Sequence, residues 1–117
     1  MAKILVVDDS NYTRRVHSRV FETAGHTVVQ QSTGMGAIEA YSLERPDYVV
    51  LDLSMEDVGG VEVLKTIRAL DANAVVVVIS ADVQRSTEQQ VMEAGASKFI
   101  GKPASEQQLL AAVGGHT

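Results

Sequence analysis

Short aliphatic runs alternate five times with longer stretches of helical periodicity along this chain, and that alternation leaves few folds open. The strand candidates are residues 3–7, 27–30, 48–53, 74–80 and 97–100. Three of them are almost unbroken Val, Ile and Leu, the pattern of strands covered on both faces. Between them, Val16, Val20, Phe21 and Ala24 fall on one side of a first helix, and Ala37, Ile38 and Tyr41 on one side of a second. Val63, Leu64, Ile67 and Leu70 do the same in a third, and Leu109, Leu110 and Val113 in the last. The fourth helix, about residues 86–94, is poor in apolar residues, with only Val91 and Met92 prominent. Gly25 and Gly95 each follow an alanine where a helical pattern runs out, and are expected to be left-handed stops.

Five strand–helix units joined by short connections imply a parallel sheet between two helix layers, with right-handed crossovers. The expected fold is therefore α/β: a doubly wound, flavodoxin-like (βα)5 three-layer sandwich with strand order 2-1-3-4-5. At 117 residues the chain is the size of one domain, and residues 1–117 are read as a single unit. Without cysteine it has neither a disulfide framework nor a thiolate metal site. Its longest apolar run, residues 74–79, is too short to cross a bilayer. The first residues lead straight into a strand with no export signal, so a cytoplasmic location and no membrane insertion are expected. The net charge of −5, with no cluster of Lys or Arg, argues against direct nucleic-acid binding.

In an open parallel sheet, ligands bind beyond the carboxyl ends of the strands, near the point where strand order reverses. The first strand ends in Asp8 and Asp9, the third in Asp52 and the fourth in Ser80, while Lys102 and Pro103 follow the fifth. With order 2-1-3-4-5 these residues meet in one crevice. Neighbouring carboxylates raise one another's pKa unless a cation joins them. Three hard oxygen donors with no His or Cys nearby suit Mg²⁺, which keeps open positions for phosphate oxygens. Lys102 adds a point charge and Ser80 a hydrogen-bond donor, and a carboxylate can serve as a nucleophile. Each residue alone has a structural alternative: Asp8, Asp9 or Ser10 as a helix cap, Asp52 as a turn residue, Lys102 as a solvated charge. Their convergence on one sheet edge favours a shared chemical role. His17 and His26 are expected on the surface, and His116 in the tail.

The segments that carry this crevice resemble the response-regulator receiver family, of which single-domain chemotaxis regulators are the simplest members. Ile4-Leu5-Val6-Val7-Asp8-Asp9-Ser10 resembles the family's acidic pair after the first strand. Asp47-Tyr48-Val49-Val50-Leu51-Asp52-Leu53-Ser54-Met55 resembles its phosphoacceptor strand. Val78-Ile79-Ser80-Ala81 resembles the switch hydroxyl followed by a small residue, and residues 94–103 resemble the closing segment with its Lys-Pro pair. The resemblance implies that Asp52 is phosphorylated, that Asp9, Asp52 and the backbone carbonyl of Ser54 ligate Mg²⁺ directly, and that Asp8 acts mainly through water. It implies a cis peptide between Lys102 and Pro103, and a switch role for Phe99 beside Ser80. The sequence departs from the family pattern at Glu56, where proline is usual, and at Gly59, where an acid is usual. Ser54 and Asp82 stand where the family tunes dephosphorylation.

The expected partners are a sensor histidine kinase or phosphotransfer protein, which donates the phosphoryl group, and a downstream target protein. That target would be reached through the face formed by the fourth helix, fifth strand and fifth helix. A monomer is expected, acting as a phosphoacceptor that assists its own phosphoryl transfer and autodephosphorylation. Three competing readings remain. A flavodoxin-like FMN carrier would use Ser32-Thr33-Gly34-Met35-Gly36 as a phosphate cradle, although that loop lies away from the switch point and Thr33 reads more simply as a cap. A haloacid-dehalogenase-like phosphatase would need Asp-x-Asp, where this chain has adjacent acids. A phosphorylation-independent binding module would keep the fold and lack the chemistry.

Overall fold

A computed structural model describes residues 1–54 and 57–114; Met55, Glu56 and the tail holding His116 lie outside the described residues. The aliphatic runs form β1 (Lys3–Val7), β2 (Thr27–Gln31), β3 (Tyr48–Asp52), β4 (Val76–Ser80) and β5 (Lys98–Gly101). These pair in parallel in the order β2-β1-β3-β4-β5. The intervening stretches are α1 (Asn11–Thr23), α2 (Gly34–Glu44), α3 (Gly60–Leu70), α4 (Arg85–Glu93) and α5 (Glu106–Ala112). Strand alternation divides the sheet's side chains between two cores. Ile4, Val6, Val50, Val77 and Ile79 pack with Phe21, Leu109, Ala112 and Val113 beneath α1 and α5. Leu5, Val7, Val49, Leu51, Val76 and Val78 pack with residues of α2, α3 and α4 on the other face. The sheet is thus covered on both sides, as its unbroken aliphatic runs require.

Strand limits differ from the sequence reading where local hydrogen bonds compete with the ladder. Ala74 N–H donates to Asp71 O and Asn73 N–H to Asp71 Oδ1, so a turn occupies the start of the 74–80 run. Ser97 Oγ accepts from Val76 N–H, and β5 begins one residue later. Gly25 and Gly95 have φ values of 98° and 110°, the left-handed stops expected of them. Thr33 caps α2 through Gly36 N–H, and Ser105 with Gln108 forms a capping box on α5.

The buried face of α1 corrects the sequence reading. Val16 and Ala24 are exposed, and so are Leu70 at the end of α3 and Met92 on α4. In α1, His17 and Ser18 are buried with Phe21 instead. Ser18 Oγ donates to Arg14 O, so its hydroxyl needs no partner outside the helix and can be buried. His17 was expected on the surface; its burial pushes the imidazole pKa down, and a neutral ring is less costly to desolvate than an imidazolium. His26 is half-buried and accepts Ala2 N–H at Nδ1.

Helix α4 is anchored sparsely. Its N-cap, Gln84, makes no side-chain cap bond, and among its residues Val91 alone is buried. At the far end, Arg68 of α3 donates Nε and Nη2 to Gly95 O and Nη1 to Ala72 O and Ala74 O, tying α3 to the turns before β4 and after α4. Amide hydrogen exchange should therefore show α4 opening well before β4. Val91→Ala should cost about 2 kcal/mol of stability for the lost methyl groups and the cavity they leave. It should speed exchange in α4 more than in α3; equal acceleration in both helices would contradict the sparse-anchor account.

Candidate functional site

Each polar residue of the crevice sits where a strand leaves the sheet. β1 ends at Val7, and Asp8 N–H still donates to Gln31 O of β2, which aligns the first acid with the sheet edge. Ser10 is the N-cap of α1, accepting Thr13 N–H, while Asp8 Oδ1 accepts Ser10 N–H. The capping role considered for the acids therefore belongs to Ser10. Asp52 is the last residue of β3 and Ser80 the last of β4. Lys102 follows β5, its N–H donating to Ser80 O, and its peptide bond to Pro103 is cis, as the family resemblance implied.

These elements bring the expected carboxylates together. Asp8, Asp9 and Asp52 each present an oxygen within 4.8 Å of the others. Asp8 and Asp52 are buried, at 2% and 4% exposure, and Asp9 is open to solvent. Lys102 Nζ lies 3.2 Å from Asp52 Oδ1 and 3.4 Å from Asp8 Oδ2. Two opposing effects act on Asp52. Burial and the Asp8 charge push its pKa up, while the Lys102 ammonium and the Ser54 N–H pull it down, and the upward effects win. Burial alone would lower the Lys102 pKa, but the pull of Asp52 and Asp8 outweighs it and holds the ammonium above the usual lysine value. One ammonium thus pairs with two of the three clustered carboxylates, and the raised Asp52 pKa reflects its burial first and the neighbouring Asp8 charge second.

An all-oxygen set with an unmet negative charge fits a hard divalent cation, and the openness at Asp9 leaves room for the waters Mg²⁺ retains. Ser54 follows closely, its N–H donating to Asp52 Oδ1 at 3.3 Å. Ser80 is buried and its Oγ accepts Asp82 N–H at 3.0 Å. Asp82 Oδ1 in turn accepts Gln84 N–H, and Oδ2 accepts the Thr87 hydroxyl, bonds that hold its pKa below the usual carboxylate range. Phe99 is half-buried against the core on the α2–α4 face, and Ile100 packs on the opposite face, as strand alternation requires.

Three residues escaped the sequence reading. Arg14 donates Nη1 to Asp8 O and so braces the β1–α1 turn from α1. His17 is buried close enough to Asp8 and Lys102 to feel both charges. Asp57 accepts Gly34 N–H and Met35 N–H from α2, which occupies the amides considered as a flavin-phosphate cradle. An acid a few residues beyond the third strand was the available signal for Asp57, and a histidine between Val16 and Phe21 the signal for His17.

Comparison with known proteins bears on this geometry. The sequence model described as "Response regulator receiver domain" matches residues 4–114, a span that takes in the five strands but for Lys3. The "Chemotaxis protein CheY" of Thermotoga maritima is 34% identical over 102 residues, covering 86% of this chain and 85% of that one. The "Sporulation initiation phosphotransferase F" of Bacillus subtilis is 34% identical over 101 residues, covering 86% and 82%. A Borrelia burgdorferi structure, the "CheX-CheY-BeF3-Mg+2 complex", aligns with a TM-score of 0.90 at 30% identity, over 95% of this chain and 85% of that one. Fold, acid crevice and sequence agree, and the chain belongs to the response regulator receiver domain family of two-component phosphorelay signalling.

Proposed function

We propose that Asp52 accepts a phosphoryl group from a phosphohistidine on a sensor histidine kinase or phosphotransfer protein, and that residues 1–117 act as one receiver unit. The observation that carries this reading is the buried Asp52 carboxylate at a strand end, 3.2 Å from the Lys102 ammonium and clustered with Asp8 and Asp9. A carboxylate oxygen of Asp52 attacks phosphorus, the P–N bond breaks, and the electron pair leaves with the imidazole. The product is a mixed anhydride on Asp52. Lys102 pairs with one phosphoryl oxygen and the Ser80 hydroxyl donates to another.

Asp9, Asp52 and the Ser54 carbonyl would hold Mg²⁺ directly, with Asp8 acting through water. When bound, the ion supplies neutralising charge for the phosphoryl oxygens. The Borrelia burgdorferi relative, solved in a complex with BeF3 and Mg²⁺, supports Mg²⁺ as the ion. The same crevice would assist hydrolysis of the anhydride, so the domain shortens its own signal without turning over a separate substrate.

Phosphorylation adds charge and acceptor oxygens beside Ser80. To reach them, Ser80 Oγ must give up Asp82 N–H, and the space it leaves admits Phe99. That biases the face built from α4, β5 and α5, where a downstream target protein binds. We place the unphosphorylated protein in the cytoplasm as a monomer; among the described residues no helix is long and apolar enough to cross a membrane.

Treatment with acetyl phosphate and Mg²⁺ should give one phosphoryl adduct by intact mass spectrometry, stable in acid, labile in base and absent from Asp52→Asn. An adduct that persists in Asp52→Asn would assign the chemistry elsewhere. No adduct from small donors or from a cognate kinase would leave a phosphorylation-independent binding module.

Ion-free stability offers an independent check. Asp52 has a raised folded-state pKa, so the folded state holds a proton that the unfolded state releases. The Asp52 contribution to stability therefore falls as pH rises from the ordinary carboxylate range through the raised value. The melting temperature of Asp52→Asn should accordingly gain on the wild type as pH rises through that window. Mg²⁺ at ten times its Kd should stabilise the wild type by about 1.4 kcal/mol and leave Asp52→Asn nearly unmoved. A constant difference between the two proteins across pH would contradict the charge frustration assigned to Asp52.

Ser80→Ala should still form the adduct while losing most of the phosphorylation-dependent change in α4 hydrogen exchange. A full response in that variant would remove Ser80 from the switch.

A further inference from the structure

The segment between β3 and α3 carries Ser54, yet its own strand and helix are not all that holds it. Gly60 N–H donates to Leu53 O at 3.2 Å, closing the segment at its neck. The closure is tight: a Cβ on Gly60 would lie 2.6 Å from Leu53 Cα and O. A second fastener joins the segment to α2. Asp57 Oδ1 accepts Gly34 N–H at 2.9 Å and Oδ2 accepts Met35 N–H at 3.1 Å. Val58 packs so closely there that a Cβ on Gly34 would lie 2.9 Å from its Cβ and its carbonyl oxygen.

α2 has no acidic residue in its first turn, so Asp57 supplies from another segment the anion its amino terminus favours. Together with Thr33, which takes Gly36 N–H, it satisfies three of the free amides at that end. Those bonds hold the Asp57 pKa below the usual carboxylate range, the first of them from Gly34.

We propose that Asp57 is a positioning residue for the Mg²⁺ site: by clipping the β3–α3 segment to the start of α2, it fixes where the Ser54 carbonyl stands relative to Asp52. The inference rests on the ligand set proposed above and extends it to a residue that touches neither ion nor phosphoryl group. Without the clip, the described bonds left on the segment are those of its neck, Gly60 N–H to Leu53 O and Leu53 N–H to Ile79 O, and the Ser54 N–H to Asp52 Oδ1. None of them fixes the Ser54 carbonyl, whose ordering must then be repeated each time the ion binds. Affinity falls accordingly, as it does when outer partners of metal ligands are removed.

The test compares Asp57→Ala, Asp57→Asn and Thr33→Ala with the wild type. Mg²⁺ affinity is measured by titration calorimetry without any phosphodonor, at a temperature where all four proteins are folded. Salt at about 0.5 M shortens the Debye length to about 4 Å, which removes the direct pull of an exposed Asp57 on the ion. Asp57→Ala should bind Mg²⁺ about ten-fold more weakly, the low end of the range for outer-partner losses. Asp57→Asn, which keeps one acceptor oxygen, should fall between. Thr33→Ala also removes a cap from α2 but leaves the clip intact, so it should melt earlier yet bind Mg²⁺ as the wild type does. In the ion-free protein, the Ser54 and Gly60 amides should exchange faster in Asp57→Ala than in Thr33→Ala.

Unchanged affinity in Asp57→Ala overturns the positioning role. An equal loss in Thr33→Ala does so too, because it would trace the effect to α2 stability alone. A wild type that binds no Mg²⁺ overturns the ligand set itself, and that result is read from the wild type before any variant is compared.

Discussion

Everything polar in this molecule is governed by one constraint: a parallel sheet covered on both faces has no room for an unpaired charge except at its ends. Parallel strands place all their carboxyl ends on one edge, so Asp8, Asp52, Ser80 and Lys102 gather there from positions far apart in sequence. Burial at that edge is deep enough to desolvate Asp8 and Asp52, yet both share one ammonium. The fold thus assembles the site and at the same time leaves it frustrated. In the proposed reading, a bound cation would complete the charge balance that the ion-free state lacks.

The parts of the fold legible in the sequence were those dictated by periodicity. Buried strands are continuous aliphatic runs, and their order follows from short right-handed crossovers, so the sheet and the meeting of strand-end residues could both be read from spacing. The parts that were not legible depend on contacts with no local signature. Val16 looks like a core residue and is exposed, whereas His17 looks like a surface residue and is buried, because hydropathy alone does not fix which stripe of α1 faces the sheet. A hydroxyl bonded within its own turn, as Ser18 is to Arg14, can occupy a core position that hydropathy assigns to valine. Asp57 showed only as an acid beyond the third strand: nothing in residues 53–60 announces that its partners are the amides of α2.

Departures from the family pattern take on a structural meaning at Asp82. The family resemblance placed it among the residues that tune dephosphorylation. Its carboxylate is engaged by Gln84 N–H and the Thr87 hydroxyl, and its own N–H is held by Ser80 Oγ. A group so committed links the Ser80 hydroxyl to the first turn of α4, a helix that has no side-chain cap of its own.

This arrangement makes α4 unequal at its two ends. The carboxyl end is pinned by Val91 in the core and by the Arg68 guanidinium on Gly95 O. The amino end depends on Asp82, and through it on where the Ser80 hydroxyl points. In the proposed switch, a change at Ser80 would act on the loosely held end, with the far end as pivot. Gly101, paired with Ser80 across β4 and β5, lies against Val83 so closely that a Cβ would come within 2.7 Å of its side chain. The β4–α4 turn is thus packed on the same strand that carries Phe99. In the proposed switch, one movement of the Ser80 hydroxyl is felt by both the helix and the aromatic ring, which lets a single phosphoryl group alter a surface larger than the crevice it occupies.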